Sequence, residues 1–270
     1  VAMTWLDYVS TTGMSRIDWR ISGAHADPPG VAERANSERL MRLPVPAWCW
    51  TPPSDSPAPV PPPLVRLGTP TFGSFNHAMK LTDATLAMWR ALFALLPAAR
   101  LVAVGIPSGS SRRRVTDALA IAPARVEFAP RLDDAGYRAM FARVDVALDP
   151  RPFSGATTTL DALWQGVPVV TLPGPWTWSR SSASLLAGLG AEAWIARDAG
   201  HYASIACGLV GDGARLAEIR AGLRARVAAS PMTDVAGFVR HLEDAYRRAW
   251  TAYASGQLHR DDAVRAHAAC

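Results

Sequence analysis

The stretch Phe141–Gly174, FARVDVALDPRPFSGATTTLDALWQGVPVVTLPG, decides the fold. It contains two short apolar runs, DVALDP and PVVTLPG, separated by ATTTLDALWQG. Continuous apolar runs of this length predict strands buried on both faces. The middle segment predicts a helix that stops at Gly166, since glycine readily takes the left-handed conformation that ends a helix. Strand, helix and strand in such a short span imply parallel pairing with the helix packed across the sheet.

Working outward, the same alternation starts near residue 70. TFGSFN predicts a strand and TDATLAMWRALFALLP an amphipathic helix with Thr82 as its N-cap. RLVAVG, SRRRVTDALAI, RVEFAP and DDAGYRAMFARV continue it, and beyond Gly174 SRSSASLLAGLG predicts a helix and EAWIA a last strand. Residues 198–256 predict three helices, punctuated by Gly211-Asp212-Gly213 and by SPMTD. The predicted class is therefore α/β, with a Rossmann-like parallel sheet.

Upstream the pattern changes. Residues 44–63 hold nine prolines, which exclude helix interior and central strand. A linker over 44–66 is expected, in extended or polyproline conformation, with a domain boundary there. Residues 1–43 are mixed: AMTWLDYV and IDWRIS look like strands, and ERLMRLP leads out toward the linker. The chain opens on valine inside an apolar run, as a piece of a longer protein would. Residues 257–270 are polar and expected to fray.

Of 28 basic residues, 27 are arginine; Lys80 is the single lysine, although the net charge is +5. The basic residues alternate with acids, and the one tight run, Arg112-Arg113-Arg114, lacks interleaved aromatics, so a nucleic-acid partner is not expected. No apolar run reaches the roughly 20 residues that span a bilayer, so no membrane partner is expected. Cys49, Cys207 and Cys270 are odd in number and widely spaced, which argues against a disulfide framework or a zinc site and for a reducing cytoplasm.

Ligands of an open parallel sheet bind beyond the carboxyl ends of its strands. That rule selects 74–82, 105–112, 130–137, 149–158 and 173–180. In the first, Asn76, His77 and Lys80 face the cleft, and an ammonium is a compact counter-charge for phosphate. In the fourth, Gly155 permits close backbone approach, and Ala156, Thr157 and Thr158 open a helix whose free N–H groups attract an anion. Asp161, one turn further on, has the chemistry to accept hydrogen bonds from ribose hydroxyls, and Tyr137 the shape to cover a base. Each has an ordinary structural alternative: a solvated lysine, an N-cap, a first-turn acid, a packed aromatic. Two anion sites at the strand ends of one sheet point to a nucleotide diphosphate. With neither GxGxxG nor DxD, a metal-free site is expected.

FGSFNHAMKLT, the 141–174 stretch, SRSSASLLAGLG and the opening MTWLDYVSTTG carry a resemblance over most of 1–256 to the O-GlcNAc transferase/SPINDLY family of protein O-glycosyltransferases. The resemblance implies a GT-B architecture, two Rossmann-like lobes with the donor between them. Residues 67–256 then correspond to the C-terminal, nucleotide-binding lobe, and 1–43 to the tail of the N-terminal lobe, whose remainder and TPR repeats lie outside this sequence. Lys80 is similar to the family's lysine on the donor diphosphate, and His77 replaces a neighbour that is usually an amide. Thr157 and Thr158 match phosphate-contacting threonines, and Asp161 a ribose-binding aspartate. Tyr137 stands where a base-stacking histidine can occur, and Leu132 lies in the loop whose backbone reads the base. Ala156 replaces a histidine of the animal enzymes. Asp7 and Ser10 stand where glycines approach the sugar. The family's proposed catalytic histidine belongs to the missing lobe, so no general base is assigned.

The resemblance implies an inverting, metal-independent transfer, without a cofactor, from UDP-GlcNAc to Ser/Thr hydroxyls of proteins in the cytoplasm. GDP-fucose or UDP-glucose are alternative donors. Asp7 and Ser10 favour a different class, a non-catalytic nucleotide-binding scaffold, and a piece of this extent is not expected to act alone.

Overall fold

Two parallel sheets organise the chain in a computed structural model, which describes residues 1–6 and 8–257. Asp7 and residues 258–270, where fraying was expected, lie outside the described residues. The smaller sheet comprises β1 (Met3–Thr4), β2 (Trp19–Gly23) and β3 (Arg39–Leu43), in that order. β3 falls where the sequence reads only as a way out. Its arginines hid the strand: Met41 and Leu43 point into a core while Arg42 faces outward to Glu33. β1 pairs at only two positions, far fewer than AMTWLDYV predicts.

From Pro44 to Pro62 there is no regular element. The short helix α1 (Pro63–Leu67) then begins inside the expected linker, because proline is tolerated in a helix's first turn. The proline-rich segment lies against the body of the protein. The Trp50 amide donates to the Met232 carbonyl, Arg224 to that of Pro57 and Arg220 to that of Val60.

The larger sheet comprises β4 (Thr71–Ser74), β5 (Arg100–Val104), β6 (Val126–Ala129), β7 (Val146–Leu148) and β8 (Val169–Val170). The strand order is β6-β5-β4-β7-β8, all parallel. Successive residues point to opposite faces. Phe72, Leu101, Ala103, Val146 and Leu148 meet α2 (Asp83–Leu95), α3 (Ser110–Leu119) and α7 (Ala199–Gly211) around Trp89 and Tyr202. Val102, Val104, Ala147 and Val169 meet α4 (Asp134–Met140), α5 (Thr157–Trp164), α6 (Ser181–Gly188) and α8 (Gly213–Ala228). Thr82 caps α2 as expected, accepting from the Thr85 amide at 3.2 Å.

EAWIA does not form the expected strand. Glu192–Trp194 is a 3-10 turn, and a single bridge, Thr171 to Ile195, continues the sheet. The last helix, α9 (Val235–Ala254), leaves the larger sheet and covers the smaller one. Phe238, Ala245 and Ala249 pack on Ile21, Met41 and Leu43, and Trp5 stacks on Phe238.

Candidate functional site

The chain turns left from β4 to β5 and later resumes on its right with β7, so the connections after β4 and β7 diverge. A crevice opens at such a switch point, outside the carboxyl ends of the strands. The two segments singled out for anion binding, after Ser74 and after Leu148, flank this crevice.

The Lys80 amine points toward the head of α5. It donates to the Ser154 carbonyl at 2.9 Å, lies 3.5 Å from Asn76 Oδ1 and sits over the Phe153 ring at 4.6 Å. Asn76 is buried, and its Oδ1 also accepts from the Thr158 hydroxyl at 3.2 Å. One amide side chain thus ties the lysine to the helix start. α5 has no side-chain cap, so its first amides are left for an incoming acceptor. Burial pushes the Lys80 ammonium down, and the nearby Asp149 pulls it back up.

Gly155 is buried and closely surrounded by the protein. A Cβ there would stand 2.7 Å from both the Thr158 and Thr159 hydroxyls. The loop is fastened from below at each backbone group: the Ser154 amide donates to the Trp178 carbonyl, the Gly155 amide to Asp149, and the Ser182 hydroxyl to the Gly155 carbonyl. The protein's own groups therefore hold the loop before α5 in shape.

On one flank stand Tyr137 and Asp161. The Tyr137 hydroxyl donates to Asp161 Oδ2 at 3.1 Å, and its ring meets Phe75 and Phe141 edge-on. Burial pushes the Asp161 carboxyl up to about 6, against the pull of the Tyr137 hydrogen bond, and drives the Tyr137 hydroxyl well above its ordinary value. Leu132 is half-buried beside them, packed with the Phe75 cluster. Three expected residues stand apart from the hydrogen bonds of the cup. His77 is exposed and caps the short turn Ala78–Lys80 through its Nδ1; Thr157 is exposed; Ser10 is buried, its amide on the Tyr8 carbonyl. Asp7 falls outside the described residues.

Asp149, Ser154 and Phe153 were not among the residues expected from the sequence. Asp149 had a signal, an acid ending a buried strand within a selected segment. Ser154 had none, because it acts through its carbonyl.

A family model described as Glycosyl transferase family 41 matches residues 69–242. A Petunia hybrida protein described as a probable UDP-N-acetylglucosamine–peptide N-acetylglucosaminyltransferase SPINDLY is 35% identical over 264 residues, which is 96% of this chain and 28% of that protein. A UDP-N-acetylglucosamine–peptide N-acetylglucosaminyltransferase of Caenorhabditis elegans is 30% identical over 187 residues, 68% of this chain and 16% of that one. The chain thus spans little more than a quarter of the SPINDLY relative. Among solved structures, a mutant O-GlcNAc transferase of Thermobaculum terrenum superposes with a TM-score of 0.85 at 37% identity, covering 93% of this chain and 48% of that one. Sucrose-phosphate synthase of Thermosynechococcus elongatus, at 16% identity and a TM-score of 0.61 over 88% of this chain and 60% of that one, shares the fold. The fold is that of the GT-B glycosyltransferases, and the chain belongs to glycosyl transferase family 41, with the O-GlcNAc transferase and SPINDLY proteins as its relatives.

Proposed function

We propose that this chain supplies the donor-nucleotide site of a protein O-glycosyltransferase, and that the donor is UDP-GlcNAc. One observation carries the reading: the Lys80 amine and the uncapped start of α5 converge on Asn76 at the switch point of the sheet. In this reading the diphosphate lies between Lys80 and the amides of Ala156, Thr157 and Thr158, with Asp161 on the ribose and Tyr137 and Leu132 toward the base. His77 lies at the rim.

A Ser or Thr hydroxyl of a protein acceptor attacks the sugar from the face opposite the diphosphate, so the configuration inverts. As the glycosidic bond breaks, charge grows on the diphosphate. Lys80 and the helix start meet that charge without reorganising, which is the part a bound metal plays in other transferases. The remaining lobe and TPR repeats that the family resemblance implies would contribute the acceptor site and the general base. Binding without transfer is expected of this chain by itself, in keeping with its share of the relatives' length. A cytoplasmic setting suits the donor and acceptors.

Titration with UDP tests this. Lys80→Ala should weaken UDP binding by more than about 1 kcal/mol, because a charge-assisted contact is lost. Unchanged affinity would remove Lys80 from the site.

A further inference from the structure

Beneath the cup lies a buried carboxylate that the chemistry above does not use. Asp149 follows β7 and is 2% exposed. Its Oδ1 accepts from the Gly155 amide at 2.7 Å, and its Oδ2 from the Thr171 hydroxyl at 2.6 Å. The groups acting on it come from every side. Lys80 on the β4–α2 connection provides the opposing charge, Tyr202 on α7 donates to its backbone carbonyl, and Ser182 on α6 stands nearby with its hydroxyl on the Gly155 carbonyl. Among the described residues no salt bridge is formed by Asp149 or by Lys80. Burial lifts the carboxyl to about 6, although Thr171, Gly155 and Lys80 all favour its ionised form.

We propose that Asp149 is the positioning residue of the cup and that it takes up a proton from solvent when a diphosphate binds. The inference rests on the diphosphate reading of the site. An arriving diphosphate draws on the field of Lys80 and sets further negative charge beside a carboxylate shielded from bulk solvent. Like charges sharing a buried site raise each other's proton affinity. The surroundings of Asp149 suit both protonation states. The Gly155 amide donates to Oδ1 in either. The Thr171 hydroxyl, a donor and an acceptor, can turn to accept from a protonated Oδ2. The loop that aims the amides of α5 therefore keeps its shape while the buried charge disappears. No covalent bond other than O–H changes.

The test is calorimetric titration of UDP into the full chain, near pH 7.5, in buffers of different ionisation enthalpy. A net uptake approaching one proton per UDP is expected. The phosphate of UDP, drawn to Lys80, can only release a proton, and uptake by Lys80, whose ammonium burial disfavours, would persist in Asp149→Asn. Asp149→Asn should remove the uptake while UDP still gives a heat of binding. Thr171→Val keeps the carboxylate and removes a hydrogen bond to its ionised form, so it should move the uptake to higher pH; it serves if the Asn variant does not fold. Binding without uptake, or uptake undiminished in Asp149→Asn, would overturn the proposal and leave the diphosphate reading standing. No heat with UDP would remove that reading, and this proposal with it.

Discussion

In the five-stranded sheet, each face is covered by helices that lie between its own strands or just beyond them; in the three-stranded sheet, the cover comes from α9, at the far end of the chain. The larger sheet buries two extended apolar clusters and leaves its polar residues at the strand ends, where the cup forms. The smaller sheet has one modest cluster and a buried ion pair. Arg20 and Asp27 are 3% and 1% exposed, and Thr177, from the loop after β8, donates to Asp27 at 2.5 Å. The difference teaches where each kind of stability resides. The larger sheet is covered by helices from its own stretch of chain, whereas the smaller one is covered by a helix from the far end.

Substitutions can break or sharpen this contrast. The largest effect is expected for Trp89→Ala, fully buried on α2 against the larger sheet: a loss of about 3–5 kcal/mol in urea denaturation, with UDP binding lost alongside. Asp27→Ala leaves the buried Arg20 guanidinium uncompensated and should cost about 3 kcal/mol. UDP affinity should survive there; a parallel loss of binding would show that the seam between the sheets belongs to the cup.

Next in size is a pH effect. The Asp161 carboxyl is raised from 3.8 to about 6, so its protonated form stabilises the fold. That stabilisation is complete below the unfolded value and is lost as pH rises through the folded one. Asp161→Asn should therefore match the wild type in acid and become the more stable protein as pH rises from about 4 through 6. Melting temperatures across that range check it. The same variant should bind UDP more weakly, the trade-off of a group kept for function at the expense of stability. The smallest effect is Lys80→Arg, a loss of UDP affinity below that of Lys80→Ala, since a guanidinium fork does not reproduce a compact point charge. An arginine variant with full affinity would reduce the lysine to a generic cation.

Much of the larger sheet was legible because its signals are local. Thr82 caps α2, Gly166 at a φ of +78° ends α5, and apolar runs mark each strand up to Val170. EAWIA misled because apolar composition is shared by strands and buried turns, and only the neighbouring chain decides between them. β3 was missed because alternating arginine masks a half-buried strand. In the site, Lys80, Asn76, Gly155 and Thr158 were legible by their place at strand ends. Ser154 was not, since a carbonyl carries no residue signature.

The alternation of strands and helices, the lone lysine and the glycine-threonine helix start are all properties of the linear chain. Short-range periodicity and backbone preference suffice for those. Only the tertiary structure decided that β4 and β7 lie side by side and that Asn76 joins lysine to helix. It also decided that Asp149 lies buried beneath them and that α9 crosses to the other sheet. Those outcomes depend on which distant surfaces bury each other, and no local pattern of residues carries that information.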